Sequence, residues 1–344
     1  MRAGEAPRRD AERVRGDRPA ATSATDPDGP IEVVVTRALE IATSIRCLHL
    51  ARADGSPLPP FSGGSHVLVE TRVGGTPRRT PYSLSGSPLD TSGYRISVRR
   101  DARGRGVSRH LHDAVGPGTR LRIGHPANLF PLALRARRHL MVAGGIGITP
   151  FVAQTAQLLA WGGEFELHYA VRSRASAAHL DELAARLGGR LHVHVGEAGE
   201  RVELGRLLRR QPSGTHLYVC GPASLIAHAR ERAAAAGWPD THVHVERFVG
   251  APPGEPFRVE LRASGRTLTV GPDESLLEAI ERAGIDAPSL CRGGVCGRCE
   301  TRVLARDAEL LHADHWLDPA ARAAGRRIMP CVSRCRGGTL VLDR

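Results

Sequence analysis

The sequence predicts a multidomain protein of three unlike parts: a small Greek-key β-barrel, an α/β domain with a parallel sheet, and a compact α+β unit at the C-terminus. Three observations lead there. Residues 31–132 hold short strand-like runs broken by Gly/Pro turns. From residue 133 strands begin to alternate with helical stretches. Five of the seven cysteines fall in residues 291–344.

The chain has 344 residues, long enough for two or three domains, and 41% of them are hydrophobic, enough for packed cores. No apolar run is long enough to span a bilayer, so no membrane association is expected. Residues 1–30 are rich in Pro, Ala and Gly, with six arginines balancing six acids. They lack the apolar stretch of a secretory signal and are expected to be a disordered tail of a cytoplasmic protein. The net charge of +12 comes entirely from arginine, since lysine is absent. Aromatic residues make up only 4%, and the basic residues are scattered, which argues against nucleic-acid binding. A basic docking face for an acidic protein partner stays open. An odd number of cysteines without an export signal argues against a disulfide scaffold.

In the first part, "IEVVVTRALEI", "IRCLHLARA", "SHVLVETRV", "YRISVRR" and "TRLRIG" read as strands, with turns such as "GSPLPPFSGGS" between them. They suggest a small Greek-key barrel over 31–132. In the second part, "HLMVAGGIGITPFVAQTAQLLAWG" is a buried strand, a glycine turn and a helix. "EFELHYAVRS", "LHVHVG", "THLYVCGP" and "HVHVERF" continue as strands, with helical stretches between them. That alternation predicts a parallel sheet over 133–250. Residues 251–256 read as a polar linker. Over 257–344, "FRVELRASGRTLTVGP" is a hairpin, "ESLLEAIERAG" an amphipathic helix with Leu276, Leu277 and Ile280 on one face, and "TLVLD" a last strand.

The cysteine loop carries the most specific signal. Cys291, Cys296 and Cys299 follow a C-x4-C-x2-C pattern, and 31 residues separate Cys299 from Cys331. That is the plant-type [2Fe–2S] spacing. Two irons a few ångströms apart need four thiolates, and a curled loop can supply three of them. Gly293, Gly294 and Gly297 permit the curl and let backbone N–H groups approach sulfur. Arg292 and Arg298 would offset negative charge. Zinc is the competing ligand for four cysteines, but zinc ribbons pair two C-x2-C knuckles. Cys335 is expected to be a bystander.

Residues 257–344 resemble a plant-type ferredoxin domain of the β-grasp kind. The whole of 31–344 resembles the phthalate dioxygenase reductase family, which includes vanillate O-demethylase reductases. The resemblance implies an FMN-binding barrel, an NAD-binding α/β domain and a ferredoxin-like [2Fe–2S] domain, in that order, with Cys291, Cys296, Cys299 and Cys331 as iron ligands. In "RRTPYSLSGSPLD" it places Tyr82 at the flavin ring beside Ser83, with an arginine on the phosphate. Arg79 stands three residues before Tyr82 where the family pattern has two, so Arg79 and Arg78 both remain candidates. The stretch from Val98 and Arg99 to Gly106, Val107 and Ser108 supplies the other half of that site. "HPANLFPL" resembles the FMN-type reductases more than the FAD-type, which makes FMN the expected flavin and FAD the alternative.

For the nicotinamide, "VAGGIGITP" offers Gly144, Gly145, Gly147 and Thr149 at a strand-to-helix turn. In the resembled family the Cys-Gly-Pro of "YVCGP" lies beside the nicotinamide and the "ERF" at 246–248 close to the flavin, which implies those places for Cys220, Gly221 and Pro222 and for Phe248. Cys220 and Tyr82 are the candidate catalytic residues. Arg172 and Arg174 could bind a 2′-phosphate, though NADH is expected over NADPH. A nicotinamide gives up two electrons as hydride, a [2Fe–2S] cluster accepts one, and a flavin converts between them. The resemblance thus implies an NAD(P)H-dependent reductase, expected to be monomeric, that feeds a Rieske-type oxygenase or demethylase in a transient complex. A FAD-type ferredoxin reductase serving a cytochrome P450 is the alternative enzyme. A passive electron carrier is the non-enzymatic one. No His-His-carboxylate set is evident for oxygen activation within this chain.

Overall fold

The structure is a computed structural model that describes residues 29–102 and 104–344. The first 28 residues of the expected tail lie outside the described residues. No helix among the described residues is long and apolar enough to cross a membrane.

Seven strands form the first sheet: β1 (Ile31–Ala42), β2 (Ile45–Ala51), β3 (Ser65–Val73), β4 (Thr76–Ser83), β5 (Tyr94–Arg99), β6 (Arg120–Ile123) and β7 (Ala127–Asn128). A short helix, α1 (Val107–Asp113), lies between β5 and β6. The order is β4-β3-β6-β1-β2-β5, all antiparallel, with β7 beside β3. Inserting β6 between β3 and β1 is the Greek-key crossover. A bridge between Leu84 and Ile96 joins the ends of β4 and β5, so the sheet curls closed. Alternation drives the inward face: Ile31, Val33 and Val35 of β1 are buried while Glu32 is exposed. The β3–β4 hairpin turns on Gly74 and Gly75, both with positive φ, as a two-residue turn between twisted strands requires. Pro77 and Pro81 make β4 hard to read as a strand. They are tolerated because β4 ladders along its length with β3 alone.

The second sheet is parallel throughout, in the order β10-β9-β8-β11-β12. Its strands are β8 (Arg138–Gly144), β9 (Phe165–Val171), β10 (Leu191–Val195), β11 (Thr215–Cys220) and β12 (Val243–Glu246). The connecting helices are α2 (Thr149–Trp161), α3 (Leu180–Leu187), α4 (Leu204–Arg209) and α5 (Ala223–Ala235). One face packs Met141, Leu167 and Tyr169 with Phe151 of α2 and Leu183 of α3. The other packs Leu140, Val142, Leu217 and Val219 with Leu208 of α4 and Ile226 of α5. Burial on both faces explains the continuous apolar run in "LMVAG". The strand order reverses between β8 and β11, whose carboxyl ends therefore make the crevice that favours ligands in such sheets.

The third part is a mixed sheet in the order β14-β13-β19-β15-β17 with a helix across it, the β-grasp arrangement. Its strands are β13 (Phe257–Leu261), β14 (Arg266–Val270), β15 (Thr301–Arg306), β16 (Glu309–Leu311), β17 (Arg327–Ile328), β18 (Arg334–Arg336) and β19 (Thr339–Leu342). The helices are α6 (Leu276–Arg282) and α7 (Pro319–Ala324). β13 and β19 pair in parallel, and β16 pairs with β18 alone. Helix α6 starts at a capping box: Ser275 Oγ accepts from the Glu278 backbone, and Glu278 accepts from the Ser275 backbone at 2.8 Å.

Two buried groups tie the parts together. Arg334 is buried and donates to the Gly254, Glu255 and Gly271 carbonyls, which holds the 251–256 stretch along the third part, and Ala251 is buried there too. Glu278, beyond its capping role, accepts from Arg78 of β4 at 2.9 Å and from Arg105 in the loop before α1. Arg78 and Glu278 are both almost fully buried.

Removing one member of such a cluster leaves the others desolvated without a counter-charge. Replacing Glu278 with Gln is expected to cost about 3 kcal/mol. The check is a lower denaturant midpoint together with faster proteolytic cleavage within residues 249–256. An unchanged midpoint and cleavage rate would show that the contact is not needed for docking.

Candidate functional site

The loop after α6 brings four thiols together as two pairs. Cys299 and Cys331 have their Sγ atoms 3.2 Å apart. Cys291 and Cys296 hydrogen-bond to each other. The loop reaches this shape through positive φ at Gly294 and Gly297. Side chains there would also collide, at Gly294 with Asp314 and Val332 and at Gly297 with the Trp316 ring. The Cys296 thiol, then the backbone N–H groups of Val295, Gly293 and Cys296, draw Cys291 below the usual thiol range. The Cys331 thiol does the same for Cys299. Within each pair the same contact pushes the partner up, Cys296 beside Cys291 and Cys331 beside Cys299, so one thiol of each pair is favoured as thiolate, and two pairs of sulfurs fit a pair of irons that share four ligands. Cys331 is fastened to α6 through the neighbouring Pro330 carbonyl, which accepts from Leu277 N at 2.9 Å. Cys335 faces away: its Sγ lies 3.4 Å from the Gly337 carbonyl, and burial pushes it up to about 11.

A cavity of about 300 Å³ opens where the three parts meet. Arg79, Thr80, Pro81, Tyr82 and Ser83 of β4 form one wall, with Arg99, Asp101 and Arg105. Thr149 and the segment from Val245 to Gly250 form another, and Cys291, Gly293, Val295 and Cys331 close the third. Ser83 Oγ is buried with no hydrogen-bond partner, and burial raises the Tyr82 phenol well above its ordinary range. A buried hydroxyl without a partner, several arginines and an apolar wall suit a flat, partly polar ring system carrying an anionic group.

Of the residues singled out from the sequence, Arg79, Tyr82, Ser83, Arg99, Thr149, Phe248, Cys291 and Cys331 line this cavity. Arg79 does so and Arg78 does not, because Arg78 is turned to Glu278. Val98 and Val107 lie in the barrel core instead. Gly106 caps α1 with positive φ, and Ser108 Oγ accepts from the Asp101 backbone at 3.0 Å. Arg292, read from the sequence as a charge that would offset the negative cluster, lies in the cysteine loop. It is buried and ion-paired with Glu281, which leaves Arg298 as the exposed one.

The glycine turn packs for a reason not visible in the motif. A Cβ on Gly147 would meet the Cys220 carbonyl oxygen at 2.2 Å, and one on Gly144 would meet Pro222 at 2.7 Å. Gly144 and Gly147 therefore bring two strand ends together, whereas Gly145 has open space around it. Cys220 is fully buried, and its Sγ sits 3.8 Å from Glu246 Oε2. Burial raises the Glu246 carboxyl to about 8. Sequence reasoning passed over His66 and Arg105, both on the cavity wall, and gave Glu246 no role beyond its place in "ERF". The parallel pairing of Cys220 with Glu246 places the acid beside the thiol, a contact that "ERF" alone does not encode.

Comparisons with known proteins agree with this layout. A family described as "Dimethylamine monooxygenase subunit DmmA-like, N-terminal domain" matches residues 128–243. A "2Fe-2S iron-sulfur cluster binding domain" matches residues 259–336. The chain is 50% identical over 288 residues to the heme-dependent oxidative N-demethylase beta subunit of Ectopseudomonas mendocina, covering 84% of this chain and 91% of that one. It is 38% identical over 322 residues to a vanillate O-demethylase oxidoreductase of a Pseudomonas species, covering 91% and 99%. Among solved structures, phthalate dioxygenase reductase superposes with a TM-score of 0.83 at 32% identity, covering 92% of this chain and 98% of that one.

Two outcomes follow. Glu246 holds its proton in the folded chain up to about pH 8, but releases it near 4.5 when unfolded. Folding must therefore retain a proton between those values, so Glu246 lowers stability as pH rises through that window. Glu246→Gln is expected to melt progressively higher than wild type from pH 5 to pH 8, by up to about 3 kcal/mol. A pH-independent difference would show that the carboxyl titrates normally. Second, Cys331→Ser is expected to lose the iron and the visible absorption of the purified protein, and Cys335→Ser to keep both. Equal loss in the two would place the fourth ligand elsewhere.

Proposed function

The chain belongs to the phthalate dioxygenase reductase and vanillate O-demethylase reductase family, and on that basis we propose that it passes electrons from NADH, through a flavin and a [2Fe–2S] cluster, to a separate oxygenase or demethylase. The observation that carries the reading is the shared cavity, where the Tyr82–Ser83 wall, the Phe248 segment and Cys291 face one another. A flavin bound there supplies the conversion between a two-electron donor and a one-electron acceptor.

The chain's residues divide the work. Cys291, Cys296, Cys299 and Cys331 hold the cluster, with backbone N–H groups of the loop donating to sulfur. Arg79, Tyr82, Ser83, Arg99, Gly106 and Ser108 are assigned to the flavin site, whereas Val98 and Val107, expected there from the sequence, keep their side chains in the barrel core. We take the flavin as FMN, on the "HPANLFPL" segment. Gly144, Gly145, Gly147 and Thr149 with Cys220, Gly221 and Pro222 receive the nicotinamide, and Glu246, neutral near pH 7, keeps charge away from the Cys220 thiol. Phe248 is exposed at the cavity wall, placed to cover a ring. Glu197 lies 4.0 Å from Arg172, a carboxylate that disfavours a 2′-phosphate and supports NADH over NADPH. The working division is 31–132 for flavin, 133–250 for NAD, 251–256 as connection and 257–344 for the cluster, in a monomeric cytoplasmic protein.

A Rieske-type oxygenase is the partner expected from the sequence. The 50% identity to a subunit of a heme-dependent N-demethylase favours a second reading, in which the acceptor carries haem. Mixing the NADH-reduced protein with an acceptor of each kind separates the two, because haem and Rieske reduction have distinct absorption changes.

Cys291→Ser is expected to abolish reduction of the protein acceptor while NADH-dependent reduction of a two-electron dye stays within about twofold. Loss of both in a folded variant would overturn the order of electron flow. The exposed Arg298 beside Cys299 gives the loop edge positive charge, and Arg327 stands close by, paired with Glu300 at 3.1 Å. An acidic partner face would be attracted there over a Debye length of about 8 Å at physiological salt. Arg298→Glu should lower the association rate about tenfold at low salt with cluster spectra unchanged. An unaltered, salt-independent rate would place docking elsewhere.

A further inference from the structure

The parallel sheet assembles, away from the cavity, the His-His-carboxylate set that the sequence did not display. The β9–β10 register sets His168 beside His192, and Glu166 lies two residues earlier on β9, on the same face. One ligand atom from each residue lies within 4.8 Å of the others. Glu166 Oε2 is 3.9 Å from His168 Nε2 and 3.9 Å from His192 Nε2. We propose that Glu166, His168 and His192 bind one divalent transition-metal ion of the zinc type.

Three observations support it. His168 is only 8% exposed, and its Nε2 is buried with no hydrogen-bond partner, within 4.8 Å of a ligand atom of each of the other two residues. The atoms left over are already held: His168 Nδ1 meets His194 Nε2 at 3.0 Å, and Gln211 donates to Glu166 Oε1 at 2.6 Å. Metal-binding histidines and carboxylates are oriented by such partners. Finally, two imidazoles and one carboxylate suit zinc-type ions, whereas magnesium and calcium prefer oxygen throughout. Zinc bonds of about 2.0–2.1 Å need the donors somewhat closer, and the half-exposed His192 side chain can rotate in while leaving an open position for water.

Arg138 of β8 opposes the ion, because its Nη2 lies 3.4 Å from the same Glu166 Oε2. Metal entry must turn that guanidinium outward, so Arg138 weakens binding. None of the three ligands lines the junction cavity. An ion here would fasten the edge strand β10 to β9 and raise stability by mass action.

The test uses the full chain carrying its flavin and cluster, stripped with EDTA and titrated with zinc chloride by calorimetry, with cluster absorbance followed throughout. Wild type is expected to take up one equivalent with micromolar affinity, to melt higher with zinc, and to keep its cluster spectrum. His192→Ala and Glu166→Gln should each bind at least tenfold more weakly, and Arg138→Gln several-fold more tightly. His216→Ala, in the separate stack of His216, His242 and His244, should bind as wild type does. No uptake by wild type, equal uptake by His192→Ala, or uptake lost in His216→Ala would overturn the site.

Discussion

One buried carboxylate sets the geometry on which the rest depends. Glu278 closes the cap of α6, and the same group accepts from Arg78 and Arg105 across the junction. Burying three charged groups is expensive and adds little net stability over a well-packed apolar contact. What it provides is a defined contact: with Glu278 paired to both guanidinium groups, Cys291 and Cys331 stand on the wall facing Tyr82 and Ser83. The arginine pair that a local motif left undecided is divided by this contact: Arg78 serves docking, and Arg79 is left on the cavity.

Close backbone approach is the second constraint. Gly294 and Gly297 let the cysteine loop curl against Asp314 and Trp316, so that four thiols gather as two pairs. Gly144 and Gly147 let the ends of β8 and β11 meet, which brings the Cys220–Pro222 turn to the sheet's switch point. In both places glycine is required by a neighbour's atoms as much as by any ligand. A protein that moves electrons needs its redox groups near one another in a dry setting, and both approaches shorten that path.

The parallel sheet also concentrates titratable groups, because register aligns residues that the sequence separates. Cys220 and Glu246 meet at the carboxyl ends of β11 and β12, where burial keeps the acid protonated. Glu166, His168 and His192 meet on the far edge, where the acid is held ionised. The same element type thus produces opposite charge states in one domain, according to whether desolvation or hydrogen bonding dominates.

The sequence by itself determined the three-part order, the strand and helix alternation, and the four clustered cysteines, because each rests on short-range spacing. A C-x4-C-x2-C loop, a period-two strand and a glycine turn are all written within a few residues. Its reading of β4 was incomplete, since prolines in a strand are acceptable only where neighbours are few. Tertiary structure alone decided the cavity wall, the division between Arg78 and Arg79, the burial of Arg292 against Glu281, the pinning of residues 251–256 by Arg334, and the pairing of Cys220 with Glu246. Each depends on strand register or on the docking of one part against another. Such contacts join residues far apart in the chain, and no local pattern encodes which long-range partner a buried charge will find.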